Sequence, residues 1–135
     1  MKAPEFGIVI KVNDLDLCRM FYRDVIGFGQ PCFDSSFAVQ FQLTGNLRLT
    51  LEKNTAPFLE HASAATTWFF ESSDISGIAQ RLLDSGFARL VPAAEFGSSG
   101  YFRGRDPENN MFYIKTDASE MPSHKGIDET DIQAD

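Results

Sequence analysis

Two carboxylates on strand-like segments, Glu52 and Glu71, one lysine, Lys11, and two phenols, Tyr101 and Tyr113, are the side chains of this sequence best placed to do chemistry. A pair of carboxylates could hold a hard cation. The tyrosines could donate protons, and Lys11 could act as a base if desolvated. No spacing ties any two of these groups together, so neither an acid and base pair nor an activated nucleophile stands out. The plainer reading of Lys11 is a surface lysine at a strand end, and that of Glu52 and Glu71 is a solvated or salt-bridged pair. There are two histidines, His61 in the loop-like FLEHAS and His124 near the C-terminus. Neither lies on a strand-like segment, whereas ligands to a transition metal must converge to about 2 Å and strands normally fix such a site.

The elements that would position these residues come in two similar sets. FGIVIKV, residues 6–12, is a β-type run, and Asn13-Asp14 supplies a helix cap before LDLCRMFYRDVIGF. Leu17, Met20, Phe21 and Val25 fall at helical spacing, and Gly27 is placed to end the helix. PCFD, SFAVQFQL and NLRLTLEK then read as three strands, the last two joined at Thr44-Gly45-Asn46. The second set begins with TTWFFES, residues 66–72, and Asp74 as the cap of ISGIAQRLLDSGF. Ile75, Ile78, Ala79, Leu82 and Leu83 make one apolar helical face, and Gly86 ends that helix. ARLV, SSGYFRG and MFYIKT complete it. Between the last two, RDPENN carries strong turn chemistry: Pro107 has the φ that a turn needs after Asp106, and Asn109 or Asn110 tolerates a left-handed conformation. The reading is α+β, two tandem βαβββ modules at about 5–54 and 65–116, with curved mixed sheets enclosing a cavity and helices outside.

At 135 residues with 43% apolar and 13% aromatic content, the chain can bury a core. No 18-residue apolar run and no cleavable leader stand out, so the expectation is a cytoplasmic protein with no membrane partner. Cys18 and Cys32 lack CxxC spacing and read as reduced thiols. The net charge is −7, and residues 117–135, with six acids against one lysine, account for five of those seven charges. That segment, free of aromatics and periodicity, reads as a solvated acidic tail. The remainder is nearly balanced and has no basic stripe, which argues against nucleic acid.

IVIKVNDLDLCRMFYRDVIGFG resembles the opening of the glyoxalase / bleomycin resistance / dioxygenase superfamily, also called vicinal oxygen chelate proteins, and FRGRDPENNMFYI resembles its closing hairpin. The resemblance spans about residues 5–116. It implies paired βαβββ modules around a U-shaped cavity, commonly as a homodimer. Enzymes of that superfamily usually hold a divalent metal with a histidine from each module's first strand and an acid from each last strand. Counted from Asp14 and Asp74 and from the closing strands, those positions are Gly7, Thr67, Thr50 and Tyr113. None is a metal ligand of the usual kind, so neither a metal nor another cofactor is expected.

With those positions marking the cavity face, alternation adds Val9, Lys11, Arg48, Glu52, Phe69 and Glu71, with Met111 and Lys115. Ile8, Ile10, Val12, Trp68, Phe70, Phe112 and Ile114 fall on the opposite, apolar face, beneath the helices. The expected function is non-catalytic binding of a small organic ligand, aromatic or cationic, resembling the metal-free bleomycin resistance branch. Phe69 and Tyr113 would stack, Thr50 and Thr67 would hydrogen bond, and Glu52 and Glu71 would meet a cationic group. The alternatives are a lyase, isomerase or dioxygenase with an atypical site, and a structural or regulatory protein whose cavity is filled by core phenylalanines. Fold alone does not decide among them.

Overall fold

The structure, a computed structural model, describes residues 5–55, 67–93 and 100–116. The chain divides into two compact units, Met1–Ser63 and Ala64–Asp135. His61, His124, Thr66 and the acidic segment expected at 117–135 lie outside the described residues.

In the first unit, β1 (Phe6–Val12) is followed by α1 (Leu15–Met20), which runs on into a π-helical turn at Phe21–Val25. β2 (Phe33–Asp34), β3 (Ala38–Thr44) and β4 (Leu47–Lys53) complete a mixed sheet of order β1-β4-β3-β2. β1 and β4 are parallel, which requires the intervening helix and hairpins to carry the chain back. The expected Gly45-Asn46 turn joins β3 to β4; Gly45 has φ 50°, a conformation that Gly adopts without steric cost. Asp14 caps α1 as anticipated, its carboxylate accepting from Leu17 N–H at 3.0 Å.

The buried face of that helical segment differs from the one the spacing suggests. Leu17 and Met20 are half-buried, whereas Leu15, Cys18, Phe21, Tyr22, Val25 and Ile26 form the face turned inward. The π turn is the physical reason: Ile26 N–H bonds Phe21 O at 2.9 Å, five residues back, so the neighbouring pairs Phe21-Tyr22 and Val25-Ile26 both reach the interior. Tyr22 stacks on Phe28, which in turn meets Phe41 of β3 with centroids 6.0 Å apart, tying the segment to the sheet. Beneath it Val39, Phe41, Leu49 and Leu51 are fully buried, each contributing about 1.5–3 kcal/mol relative to exposure. Arg19 fastens α1 to the end of β2 by donating to Asp34 at 3.0 Å and to Ser35 O at 2.9 Å. Gly27, at φ 93°, ends the segment as expected.

The second unit repeats the plan: β5 (Trp68–Ser72), α2 (Ile75–Asp84), β6 (Val91–Pro92), β7 (Tyr101–Arg105) and β8 (Met111–Thr116), in sheet order β5-β8-β7-β6. Ile75, Ile78, Ala79 and Leu82 of α2 are buried, with Leu83 half-buried beside them. Gly86, at φ 75°, ends the helix. Asp74 occupies the N-cap position, but its side chain makes no capping bond, contrary to expectation. The carboxylate instead lies over Gly77, where a Cβ would meet it, and pairs with Arg81 at 3.2 Å. A charge-assisted partner two helical turns further on, at Arg81, competes successfully with a neutral backbone donor. Strand β5 begins at Trp68, leaving Thr67 just ahead of it, and β6 is confined to Val91–Pro92 within the ARLV stretch and its following proline.

Both units are thus βαβββ modules with mixed four-stranded sheets, an α+β architecture. Cys18 is a buried free thiol and Cys32 an exposed one. Among the described residues no helix is long and apolar enough to cross a membrane.

Candidate functional site

Strand alternation gives each sheet two faces, one of them open and the other buried along its central strands, with Ile8, Ile10, Trp68 and Phe70 of the first strands half-buried on it. In the first unit the register aligns Gly7, Arg48 and Gln42 in one row; Val9, Thr50, Gln40 and Phe33 in the next; and Lys11, Glu52 and Ala38 in the third. All lie opposite the buried Leu49 and Leu51. Val9 is 58% exposed and Phe33 49%. Arg48 is held on three sides: by Glu5 at 3.1 Å, by Gln42 Oε1 at 3.0 Å and by Gln40 Oε1 at 3.5 Å. Gln42 is itself anchored to Gly45 O at 2.7 Å. Lys11 and Glu52 meet at 3.7 Å as an exposed ion pair, the plainer of the two readings for both. A Cβ at Gly7 would meet Arg48 O at 3.7 Å, an ordinary contact, so the sheet itself does not demand glycine there.

In the second unit, Phe69, Tyr113 and Arg103 form one row of the open face, and Glu71, Lys115 and Tyr101 the next. Arg105 and Met111 pair in the row beyond, toward the end where exposed Thr67 precedes β5. Phe69 is 56% exposed and meets Tyr101 edge to face, ring centroids 6.0 Å apart. Phe102, Phe112 and Ile114 point to the other face and are buried. The anticipated alternation along β8, with Phe112 and Ile114 inward and Tyr113 on the open side, is the one observed.

The hairpin at 105–111 delivers Tyr113 to this position. Asp106 is 5% exposed, and its Oδ1 accepts from Glu108 N–H and Asn110 N–H, both at 2.9 Å. Its Oδ2 accepts from Asn110 Nδ2, also at 2.9 Å. Asn109 takes the left-handed conformation, φ 71°, and its N–H closes the turn on Asp106 O. With the loop locked, Arg105 pairs Met111 and Arg103 pairs Tyr113.

The residues at the positions where the resemblance implies metal ligands are a glycine, two threonines and a tyrosine: Gly7, Thr50, Thr67 and Tyr113. That donor set offers no imidazole and no carboxylate, so it does not fit the divalent metal that the resemblance implies. Among the described residues no three His, Cys, Asp or Glu side chains gather into a candidate metal site. Glu52 and Glu71 share the open side of their respective sheets, but Glu52 is engaged by Lys11 and Glu71 stands directly across from Lys115.

A further ion pair lies away from both faces. On the π turn, Arg23 donates to both carboxylate oxygens of Asp24 at 2.9 and 2.8 Å. This side-chain bonding holds the Asp24 carboxyl below its ordinary value and raises the Arg23 guanidinium. Asp24 therefore favours the fold at pH values above its unfolded titration range and loses that effect as pH falls, an influence that solvent screening keeps small.

Sequence reasoning missed Arg103, Gln40 and Phe33 as members of the open faces. For Arg103 the signal was present: a hairpin closed at Asp106 and Asn110 places every second residue back from Arg105 on the side of Tyr113. Phe33 needed the pairing of a two-residue strand, which no periodicity reveals.

No protein-family model and no curated protein matches the chain. Solved structures do. Lactoylglutathione lyase from Agrobacterium tumefaciens aligns at 18% identity and TM-score 0.58, covering 84% of this chain and 93% of that one. A glyoxalase / bleomycin resistance protein from Catenulispora acidiphila aligns at 13% identity and TM-score 0.62, covering 85% and 99%. A glyoxalase-related enzyme from Fulvimarina pelagi aligns at 16% identity and TM-score 0.60, covering 87% and 89%.

Proposed function

We propose that this chain, which has the fold of glyoxalase and bleomycin resistance proteins, binds a small organic ligand with the open faces of its sheets and does not transform it. The observation that carries this reading is the exposure of Val9 and Phe69. They stand on the first strand of each unit, 58% and 56% exposed, among groups able to hydrogen bond. Val9 shares its row with exposed Phe33, and Phe69 shares its row with Tyr113, so apolar and polar groups adjoin on both faces, a mixture that suits an organic ligand with a polar handle. Thr50 stands beside Val9 with Gln40 next along the same row, while Tyr113 stands beside Phe69. Of the candidate bases on these faces, Lys11 is an exposed partner of Glu52 and Glu71 is likewise exposed, so neither has the desolvation that catalysis would ask of it.

Sequestration of an aromatic drug or metabolite is the form of binding that a bleomycin resistance fold suggests, by analogy of fold alone. The test is a melting-temperature screen of the full chain against planar aromatic compounds of either charge and a bleomycin-type glycopeptide. A compound at a hundred times its Kd stabilises by about 2.7 kcal/mol, a shift of several degrees. At least one compound raises the melting temperature of the protein, and Phe69→Ala removes the shift without lowering the unliganded melting temperature. An unchanged melting temperature throughout the screen, with no small molecule retained in native mass spectrometry, contradicts the proposal.

A further inference from the structure

Resting on that reading, we infer that the open face of the first sheet takes an uncharged aromatic carbonyl compound, whose oxygen is received by Gln40 and Thr50. The middle row of that face runs Val9, Thr50, Gln40, Phe33 across β1, β4, β3 and β2. Its two ends are apolar and exposed, Val9 at 58% and Phe33 at 49%. Its two central residues are polar and adjacent.

Hydrogen bonding sets those two apart from the polar groups around them. Arginine only donates, so Arg48 Nη1, 3.5 Å from Gln40 Oε1, fixes which end of that amide is the oxygen and leaves Nε2 as the end presented. Gln42 is oriented in the same way by Arg48 Nε, but its Nε2 goes on to donate to Gly45 O at 2.7 Å. Among the described residues Gln40 Nε2 has no acceptor and the Thr50 hydroxyl no partner. Side chains directly opposite on neighbouring antiparallel strands stand about 5 Å apart, so an N–H and an O–H from this pair can converge on one oxygen. Charge agrees. The rows on either side carry charges already matched within the fold, Lys11 with Glu52 at 3.7 Å and Arg48 with Glu5 at 3.1 Å. An ionic ligand would have to break one of these pairs to find a counter-charge, whereas a carbonyl needs only the two donors. Four neighbouring strands span about 14 Å, close to the reach of two rings joined through a carbonyl, with one ring by Val9, the other by Phe33 and the oxygen between them.

The experiment is equilibrium dialysis of the full chain against four probes of similar shape: benzophenone, diphenylmethane, diphenylacetate and diphenylmethylammonium. Benzophenone binds about tenfold more tightly than diphenylmethane, the effect of two net hydrogen bonds, and both ions bind more weakly than the ketone. Thr50→Val keeps the shape without the hydroxyl, and Gln40→Glu still accepts from Arg48 but cannot donate. Each cuts the advantage of the ketone over the hydrocarbon to about threefold, and the double variant abolishes it. Melting temperatures of the variants verify that the fold is kept, and the four probes on the unaltered chain decide the matter even where a variant is unstable. Equal or tighter binding of diphenylmethane or of either ion, or an advantage that survives in the double variant, overturns the carbonyl assignment and leaves ligand binding standing. If none of the four probes binds while another compound shifts the melting temperature, the carbonyl assignment alone falls; if nothing binds at all, both readings fall.

Discussion

Replacing Asp106 with alanine lowers the stability of the protein by about 3 kcal/mol, since two backbone N–H groups in a nearly closed site lose their acceptor and each costs about 1–3 kcal/mol. The carboxylate of Asp106 accepts three hydrogen bonds, two from the backbone N–H groups of Glu108 and Asn110 and one from the Asn110 side chain. Alanine leaves all three donors without it, in a turn whose first residue is 5% exposed. Asparagine retains an oxygen for the two backbone donors but turns an amide toward Asn110 Nδ2, so Asp106→Asn costs about 1 kcal/mol, of the order of one net hydrogen bond. Chemical denaturation with an unchanged slope reads these differences directly. The same change loosens the register between β7 and β8, which sets Arg103 beside Tyr113. Ligand affinity therefore falls in Asp106→Ala even at temperatures where the protein remains folded.

The second large effect is expected at Gly104. A Cβ there would lie 2.6 and 2.7 Å from ring atoms of Phe112 and 3.0 Å from Leu90 Cδ2. Both neighbours are completely buried, and the Phe112 ring also meets Trp68 and Phe70, so it cannot swing aside into solvent. Overpacking of this kind costs about 1–3 kcal/mol. The loss of unfolded-state freedom on replacing glycine returns about 0.4–1 kcal/mol, which leaves Gly104→Ala destabilised by about 1–2 kcal/mol. Gly104→Val, with two further methyl groups against the same ring, is worse. A double-mutant cycle isolates the cause: in a Phe112→Leu background Gly104→Ala costs clearly less, because the ring that it strikes is gone. An undiminished cost in that background would place the effect in the backbone rather than in the packing.

The modules were legible because local signals agree with the fold. FGIVIKV alternates and bounds β1 correctly, and the glycines at 27, 45 and 86 mark ends and turns that need positive φ. Asn109 and Pro107 announced the hairpin. Its buried carboxylate was not announced, since turn chemistry predicts the bonds of Asp106 but not the loss of solvent around it. The π turn was hidden for a similar reason: Phe21 and Tyr22 fit either an α or a π geometry locally, and their joint burial is decided by the sheet beneath them. Asp74 shows a local rule losing to a charge seven residues away.

The candidate site was half legible. Alternation along β1, β4, β5 and β8, counted from the positions that the family resemblance implies, puts Val9 and Thr50 on one side of their sheet and Phe69 and Tyr113 on one side of theirs, as the register has them. Charge was harder to read. Glu52 and Glu71 looked like a pair waiting for a cation until the register set each against a lysine, and Arg103 came into view only with the pairing of β7. Exposure of Phe69 in the folded state is likewise a tertiary fact, since an aromatic at that point in a strand packs inward as readily as outward.

The claim that the open face of the second sheet binds the ligand is tested most directly by intermolecular NOEs from an aromatic compound that raises the melting temperature to the side chains of the labelled protein. Contacts from its aromatic protons to the ring protons of Phe69 and Tyr113 are expected, and none to Phe112 or Ile114 on the buried face. Contacts confined to the helices or to the buried side of the sheet, or a bound probe with no contact to Phe69 and Tyr113, would contradict it.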